Sequence, residues 1–191
     1  MNSIEIMNEL ESSVSNGNFL NNPGVYNVGE EMVAKFGNSE QIETEVFWRD
    51  ILESRKFPVP KLYEIFYKDD WREFPRNERT DYESVAISEK IKGKDLKEFL
   101  KTETNELLRE KAIKNSKDKV KKLLREGVSP GDANLRNFMV DGKGKIYLID
   151  FEFYHREKDP DKLKKFYRRF CWLVDSKNRS FYKKQKGETQ K

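Results

Sequence analysis

One cysteine, Cys171, is all the chain contains, so it can close no internal disulfide and supplies no zinc site. A reduced, cytoplasmic setting is the default that follows. Long apolar runs are missing as well. No stretch approaches the roughly 18 consecutive apolar residues of a spanning helix, and the mean hydropathy is −0.94, which excludes an integral membrane protein. The first residues, MNSIEIMNELESS, are acidic and interrupted, unlike a secretory signal. No internal repeat and no low-complexity linker divides the 191 residues, so a single domain over 1–191 is expected.

What is present is apolar content sufficient for a modest core, 36% hydrophobic and 13% aromatic, together with a 38% charged fraction. The net charge of +4 is unevenly spread. Residues 1–60 carry four basic and ten acidic side chains, whereas residues 161–191 carry eleven basic and three acidic ones. Such a basic end is either a solvated lysine-rich surface or a face that approaches an anionic partner. No nucleic-acid motif accompanies it and the overall charge is small, so nucleic acid is not the expected partner.

Apolar spacing predicts a helix over residues 3–14, with Ile4, Met7, Leu10 and Val14 on one side. A Gly/Asn-punctuated stretch follows and suits short antiparallel strands. Residues 39–54 read as a second helix with Ser39 as N-cap, ended by Pro58 and Pro60. KLYEIFY and ESVAISEKI read as strands flanking a polar loop, KDDWREFPRNERTD. The pattern from Asp95 to Arg125 is helical with a break near Thr102–Asn105, and Gly127 is placed to terminate it. A loop over 128–137, a hairpin FMVDGKGKIYLID turning at Asp141-Gly142, and a final helix near 160–175 complete the order. The result is α+β in two layers, not a repeating βαβ sheet.

The chemistry concentrates in PGDANLRNFMVDGKGKIYLIDFE. Asp132 and Asn137 stand five apart, and Asp150 ends a strand thirteen residues later. Phosphoryl transfer needs one carboxylate to orient or deprotonate the attacking hydroxyl. It also needs a second carboxylate and an amide oxygen to hold Mg²⁺ against the phosphates. Asp-x-x-x-x-Asn alone is weak, because both are common turn residues. Followed by an apolar strand, a glycine turn, a second apolar strand and Asp-Phe-Glu, it is specific.

These residues resemble the protein-kinase-like superfamily. They look closest to its small atypical branch: lipopolysaccharide core heptose kinases, RIO-type kinases and aminoglycoside phosphotransferases. That branch carries His-Gly-Asp-x-x-x-x-Asn and then Ile-Asp-Phe-Glu; this chain has Pro130-Gly131-Asp132 and Ile149-Asp150-Phe151-Glu152. The resemblance implies a minimal bilobal fold, with an N-lobe about 15–88, a hinge about 89–93, a truncated C-lobe about 94–175 and a basic tail 176–191. It implies ATP and Mg²⁺ as cofactors, Asp132 as the catalytic carboxylate, and Asn137 and Asp150 as metal ligands. Lys35 in EMVAKF resembles the family's Val-Ala-x-Lys, and Glu45 in ETEVFWRDIL its ion-pair partner, with Glu43 as the alternative one helical step away. VAISEKIKGKDLKEFL resembles the segment linking the lobes, where the backbone of Glu89 and Ile91 would meet adenine.

Three departures stand out. Pro130 replaces the His that braces the loop and the metal-binding turn, and Glu152 replaces the Gly of regulated kinases. No Gly-x-Gly-x-x-Gly precedes Lys35, although Gly17, Gly24 and Gly29 are there and Asn21-Asn22-Pro23-Gly24 offers a tight turn. The 39 residues after Glu152 leave no room for an activation segment with a peptide-docking subdomain. The expected acceptor is therefore a hydroxyl of a lipopolysaccharide core sugar, another glycan or a small molecule. A RIO-like Ser/Thr kinase and a nucleotide-binding pseudokinase acting as an interaction module are the alternatives. In the final helix, Leu163, Phe166, Phe170 and Leu173 share a face that packs inward. Lys164, Lys165, Arg168 and Arg169 lie elsewhere, as closing surface or as a contact with anionic membrane at the inner face.

Overall fold

The computed structural model describes residues 2–15, 24–70 and 82–185, which divide into two compact units. The first comprises Met1–Ile51 with Pro60–Ile91, the second Leu52–Val59 with Lys92–Lys191.

In the first unit, β1 (Val25–Val28), β2 (Met32–Gly37), β3 (Leu62–Tyr67) and β4 (Ser84–Glu89) form an antiparallel sheet in the order β1-β2-β4-β3. Alternation along the strands selects one face for burial. Tyr26, Val28, Met32, Ala34, Phe36, Val85 and Ile87 meet Ile6 and Leu10 of α1 (Ser3–Ser15), which covers that face. The opposite face carries Lys35, whose cross-strand partners are Val25 and Ala86.

α2 (Ser39–Ser54) begins with a reciprocal cap. The Gln41 N–H donates to Asn38 Oδ1 at 2.8 Å, and the Asn38 N–H donates to Gln41 Oε1 at 3.3 Å. Asn38, not Ser39, is therefore the N-cap. The Ser39 hydroxyl is taken by Ser84 at 3.0 Å, which removes it from the capping role. Most of the polar loop read between β3 and β4, and the stretch holding Gly17 and Asn21-Asn22-Pro23, lie outside the described residues.

The second unit opens where α2 ends. Lys56 adopts φ 60, its N–H bonds the Glu53 carbonyl at 2.8 Å, and the Phe57 N–H bonds that of Leu52 at 3.0 Å. This is a left-handed helix stop at a residue other than glycine. β5 (Gly93–Asp95) leads into α3 (Leu96–Thr102), capped by Asp95, whose carboxylate accepts the Glu98 N–H at 2.8 Å. Asn105 caps α4 (Glu106–Arg125) in the same way, and Gly127 at φ 69 follows its end.

The loop expected over 128–137 holds a short strand, β6 (Val128–Ser129), and a 3-10 turn at Leu135–Asn137. β7 (Phe138–Asp141) and β8 (Ile146–Leu148) form the hairpin, paired Val140 to Ile146. Asp141 closes β7, and its carboxylate holds the turn by accepting the Lys143 and Lys145 N–H groups at 2.8 and 2.9 Å. β9 (His155–Arg156) pairs antiparallel with β6. α5 (Pro160–Gln185) is ten residues longer than the spacing suggested, so the tail read from 176 is mostly helix. It buries Phe170 and Val174 completely, with Phe170 5.0 Å from the Phe138 ring, while Leu163, Phe166 and Leu173 are half-buried.

The turns beyond residue 175 are held by Arg109, which is 1% exposed. Its guanidinium donates to the carbonyls of Leu100 and Glu103, which end α3, and to Asn178 Oδ1 at 2.6 Å. It also lies 3.7 Å from the centre of the Phe181 ring. A buried cation must be fully hydrogen-bonded, so Arg109 fixes the last turns of α5 to the end of α3.

Candidate active site

The candidate residues fall into one group in each unit. In the first, Lys35 stands on the inner strand β2, on the sheet face that α1 leaves uncovered. Its ammonium meets Glu45 Oε2 at 2.5 Å, with the side chains 25% and 18% exposed. Ile42, Glu45, Trp48 and Leu52 recur at helical spacing on the inward side of α2, whereas Glu43 is exposed. That phase explains why Lys35 pairs with Glu45 and not with Glu43. A half-buried, charge-assisted pair of this kind holds a lysine ammonium in one place as a point charge.

Glu89 closes β4 and Ile91 is the second residue beyond it. The Glu89 N–H donates to the Lys61 carbonyl at 2.8 Å, and its carboxylate accepts the Lys61 N–H at 3.1 Å. Its amide is committed within the sheet, so the backbone group it can offer a base is the carbonyl. Ile91 is half-buried and lies outside any strand.

In the second unit, a chain of short-range bonds brings the three acid and amide residues together. The Asp132 N–H donates to the Pro130 carbonyl at 3.0 Å, which folds the Pro-Gly-Asp turn. Asp132 Oδ1 then accepts two donors, the Asn134 N–H and Asn137 Nδ2, each at 3.2 Å. Asn134 Oδ1 caps the 3-10 turn by accepting the Arg136 N–H at 3.1 Å. Asn137, 5% exposed, returns its carbonyl to the Ile149 N–H at 3.0 Å. Asp150, the next residue, adopts φ 61, a left-handed conformation unusual for a residue other than glycine. Strain of that kind, on the order of 1–3 kcal/mol, collects at functional sites.

With its NH₂ group engaged by Asp132, Asn137 keeps its amide oxygen for a cation. No group of three or more His, Cys, Asp or Glu able to hold a metal occurs among the described residues. A site made from one carboxylate, one amide oxygen and ligand oxygens suits magnesium, which keeps much of its shell in water and phosphate. Asp150 and Asn137 therefore fit the ion, and Asp132 bonds the second of them without being needed as a ligand.

Two residues of this region were not legible as site residues. Gly131 has φ +80, and a β-carbon there would collide with the Phe153 carbonyl oxygen and approach the Phe153 β-carbon to 2.7 Å. The glycine of Pro-Gly-Asp is thus required by the turn after Asp150, which passes directly over it. Tyr154 is 3% exposed, and its ring meets Phe151 edge-on at 5.3 Å. Burial pushes its hydroxyl pKa far up, and the charges of Asp150 and Asp132 push it further. No periodicity in the sequence marks Tyr154, because it stands next to β9, a two-residue strand paired with the equally short β6. His155 itself is exposed.

No protein-family model matches the chain, and no curated protein sequence matches it. Solved structures do. Monomeric WbdD is 20% identical with a TM-score of 0.55, over 78% of this chain and 35% of that one. A structure described as the bifunctional kinase-methyltransferase WbdD is 17% identical with a TM-score of 0.54, over 80% of this chain and 42% of that one. WbdD in complex with the kinase inhibitor LY294002 is 17% identical with a TM-score of 0.53, over 83% and 44%. The chain spans less than half the length of these structures. It has a small protein-kinase-like α+β fold.

Proposed function

We propose that the chain is an ATP-dependent phosphotransferase whose acceptor is a hydroxyl of a glycan, such as a lipopolysaccharide core sugar, or of a small molecule. The observation that carries this reading is the bonding of Asp132 to Asn137 next to a left-handed Asp150. Lys35 held by Glu45 supports it from the first unit.

Each residue has a task its geometry suits. Asp132 accepts two fixed N–H donors on Oδ1, which leaves Oδ2 to accept the acceptor's hydroxyl proton or orient that hydroxyl. Asn137 Oδ1 and the Asp150 carboxylate hold magnesium, and the ion supplies charge neutralisation between phosphate groups. Lys35 holds the α- and β-phosphates, with Glu45 fixing its direction. The Glu89 carbonyl and the Ile91 backbone receive the base. WbdD, which shares the fold, is described as a kinase. The acceptor class rests on Asp-Phe-Glu, in which the chain resembles small-molecule phosphotransferases, and on the basic charge of α5. A position at the anionic inner face of a membrane belongs to the same reading.

A thermal-shift titration tests the nucleotide site. ATP with Mg²⁺ is expected to raise the melting temperature, by mass action on the native state, and ATP with chelator much less. Asp150→Asn keeps a side chain tolerant of left-handed backbone while removing the charge, so the unliganded protein should melt within a few degrees of the parent. Its Mg-ATP shift should be lost. An equal shift in Asp150→Asn would remove Asp150 from the metal site.

A further inference from the structure

We propose that the outer face of α5, centred on Trp172, docks on an anionic lipid bilayer. The inference goes beyond phosphoryl transfer, because it stands on the surface of the second unit and not on the site. It names the residues and the geometry of a contact that charge alone left open.

The inward side of α5 is anchored by Phe170 and Val174, both fully buried. On the other side Lys165, Arg168, Arg169, Trp172 and Arg179 are all exposed, and the spacings of seven from Lys165 to Trp172 and from Trp172 to Arg179, with Arg168 and Arg169 between the first two, set them along one side of the helix. Trp172 is 62% exposed. An indole left in water amid guanidinium groups gains little as surface, but it is the side chain preferred at the headgroup level of a bilayer. The flanking Lys and Arg stems bury their methylenes beside it while their charges reach lipid phosphate.

Charge complementarity is strong. α5 holds nine basic and two acidic residues, and α4 beside it eight basic and three acidic. These two helices therefore carry +12, and the rest of the chain −8 of the net +4. Neither acid of α5 interrupts the stripe. Asp175 is neutralised by Lys117 of α4 at 2.7 Å, and Asp161 lies at the first turn against Lys164 at 3.2 Å.

Shape distinguishes a bilayer from a discrete anion. A 26-residue helix is about 39 Å long, and its basic groups are strung along the rod instead of converging on one point. Arg109 holds the distal turns through Asn178 and Phe181, so the helix is anchored as far as those residues. No helix among the described residues is long and apolar enough to cross a membrane, so the contact is peripheral.

The full chain is sedimented with phosphatidylcholine vesicles, with and without phosphatidylglycerol. Binding is expected only to the anionic vesicles, and to fall as salt rises. Arg168→Ala with Arg169→Ala should weaken it about thirtyfold, given the usual contribution of each basic residue at an anionic surface. Trp172→Ala should weaken binding too, with an unchanged melting temperature because the side chain is mostly exposed. Asp132→Ala should bind vesicles like the parent, so failure of docking and failure of the phosphotransferase reading are distinguishable. Absence of anionic-vesicle binding, binding untouched by these variants, or tighter binding to a short RNA duplex than to vesicles would each overturn the proposal.

Discussion

Gly131 shows how a single residue ties the two halves of the Asp132–Asp150 region together. Its positive φ and the carbonyl of Phe153 both exclude a β-carbon, so the turn before Asp132 and the turn after Asp150 can only be neighbours if this position is glycine. Gly131→Ala is expected to destabilise the protein by about 2 kcal/mol or more, from left-handed strain plus overpacking, as measured by urea unfolding. Tyr154 is a buried residue of the same region. Its pKa is raised, so below the ordinary tyrosine value near 10 the group is neutral in both folded and unfolded chains and costs nothing. Above that pH the unfolded chain releases the proton while the folded one retains it, so stability falls as pH rises, by up to about 1.4 kcal/mol per pH unit. Tyr154→Phe should lose this extra slope while keeping the ring packing on Phe151, which unfolding of both proteins at pH about 9 to 11 would reveal. A parallel decline in the two proteins would place the hydroxyl outside the buried region.

Among the elements, legibility followed locality. The break between α3 and α4, the Gly127 stop and the β7–β8 hairpin were readable because caps, glycine and alternation act over a few residues. Ser39 was misread as a cap because its partner, Ser84, is 45 residues away, and the true cap, Asn38 with Gln41, was hidden one position earlier. The end of α5 was missed for the same reason: the group that fixes it is Arg109, 69 residues upstream of Asn178. Lys56 is another position where local preference yields to the fold. A lysine holds a left-handed helix stop that glycine occupies more easily. Lys56→Gly should therefore stabilise the protein by about 0.5–1 kcal/mol, read as a higher urea midpoint with an unchanged slope.

At the scale of the whole molecule, the sequence disclosed the α+β kinase-like architecture and named a set of candidate residues within it. The candidates Asp132, Asn137 and Asp150 come from spacing, and Lys35 with Glu45 from resemblance. The structure adds the hydrogen bond joining the first two and the ion pair joining the last two. Tyr154 was illegible because its importance arises from the pairing of two two-residue strands, which no periodicity announces. The basic end was visible as charge, but its company with α4 and the exposure of Trp172 were not. The most direct test of the central claim is transfer of label from γ-labelled ATP, with Mg²⁺, into fractionated cell extract. The parent protein is expected to label a glycan or small-molecule fraction. Asp132→Ala is expected to transfer at least a hundredfold less while retaining its Mg-ATP thermal shift. Label entering protein instead would reassign the acceptor, and no transfer by the parent, or undiminished transfer by Asp132→Ala, would contradict the account.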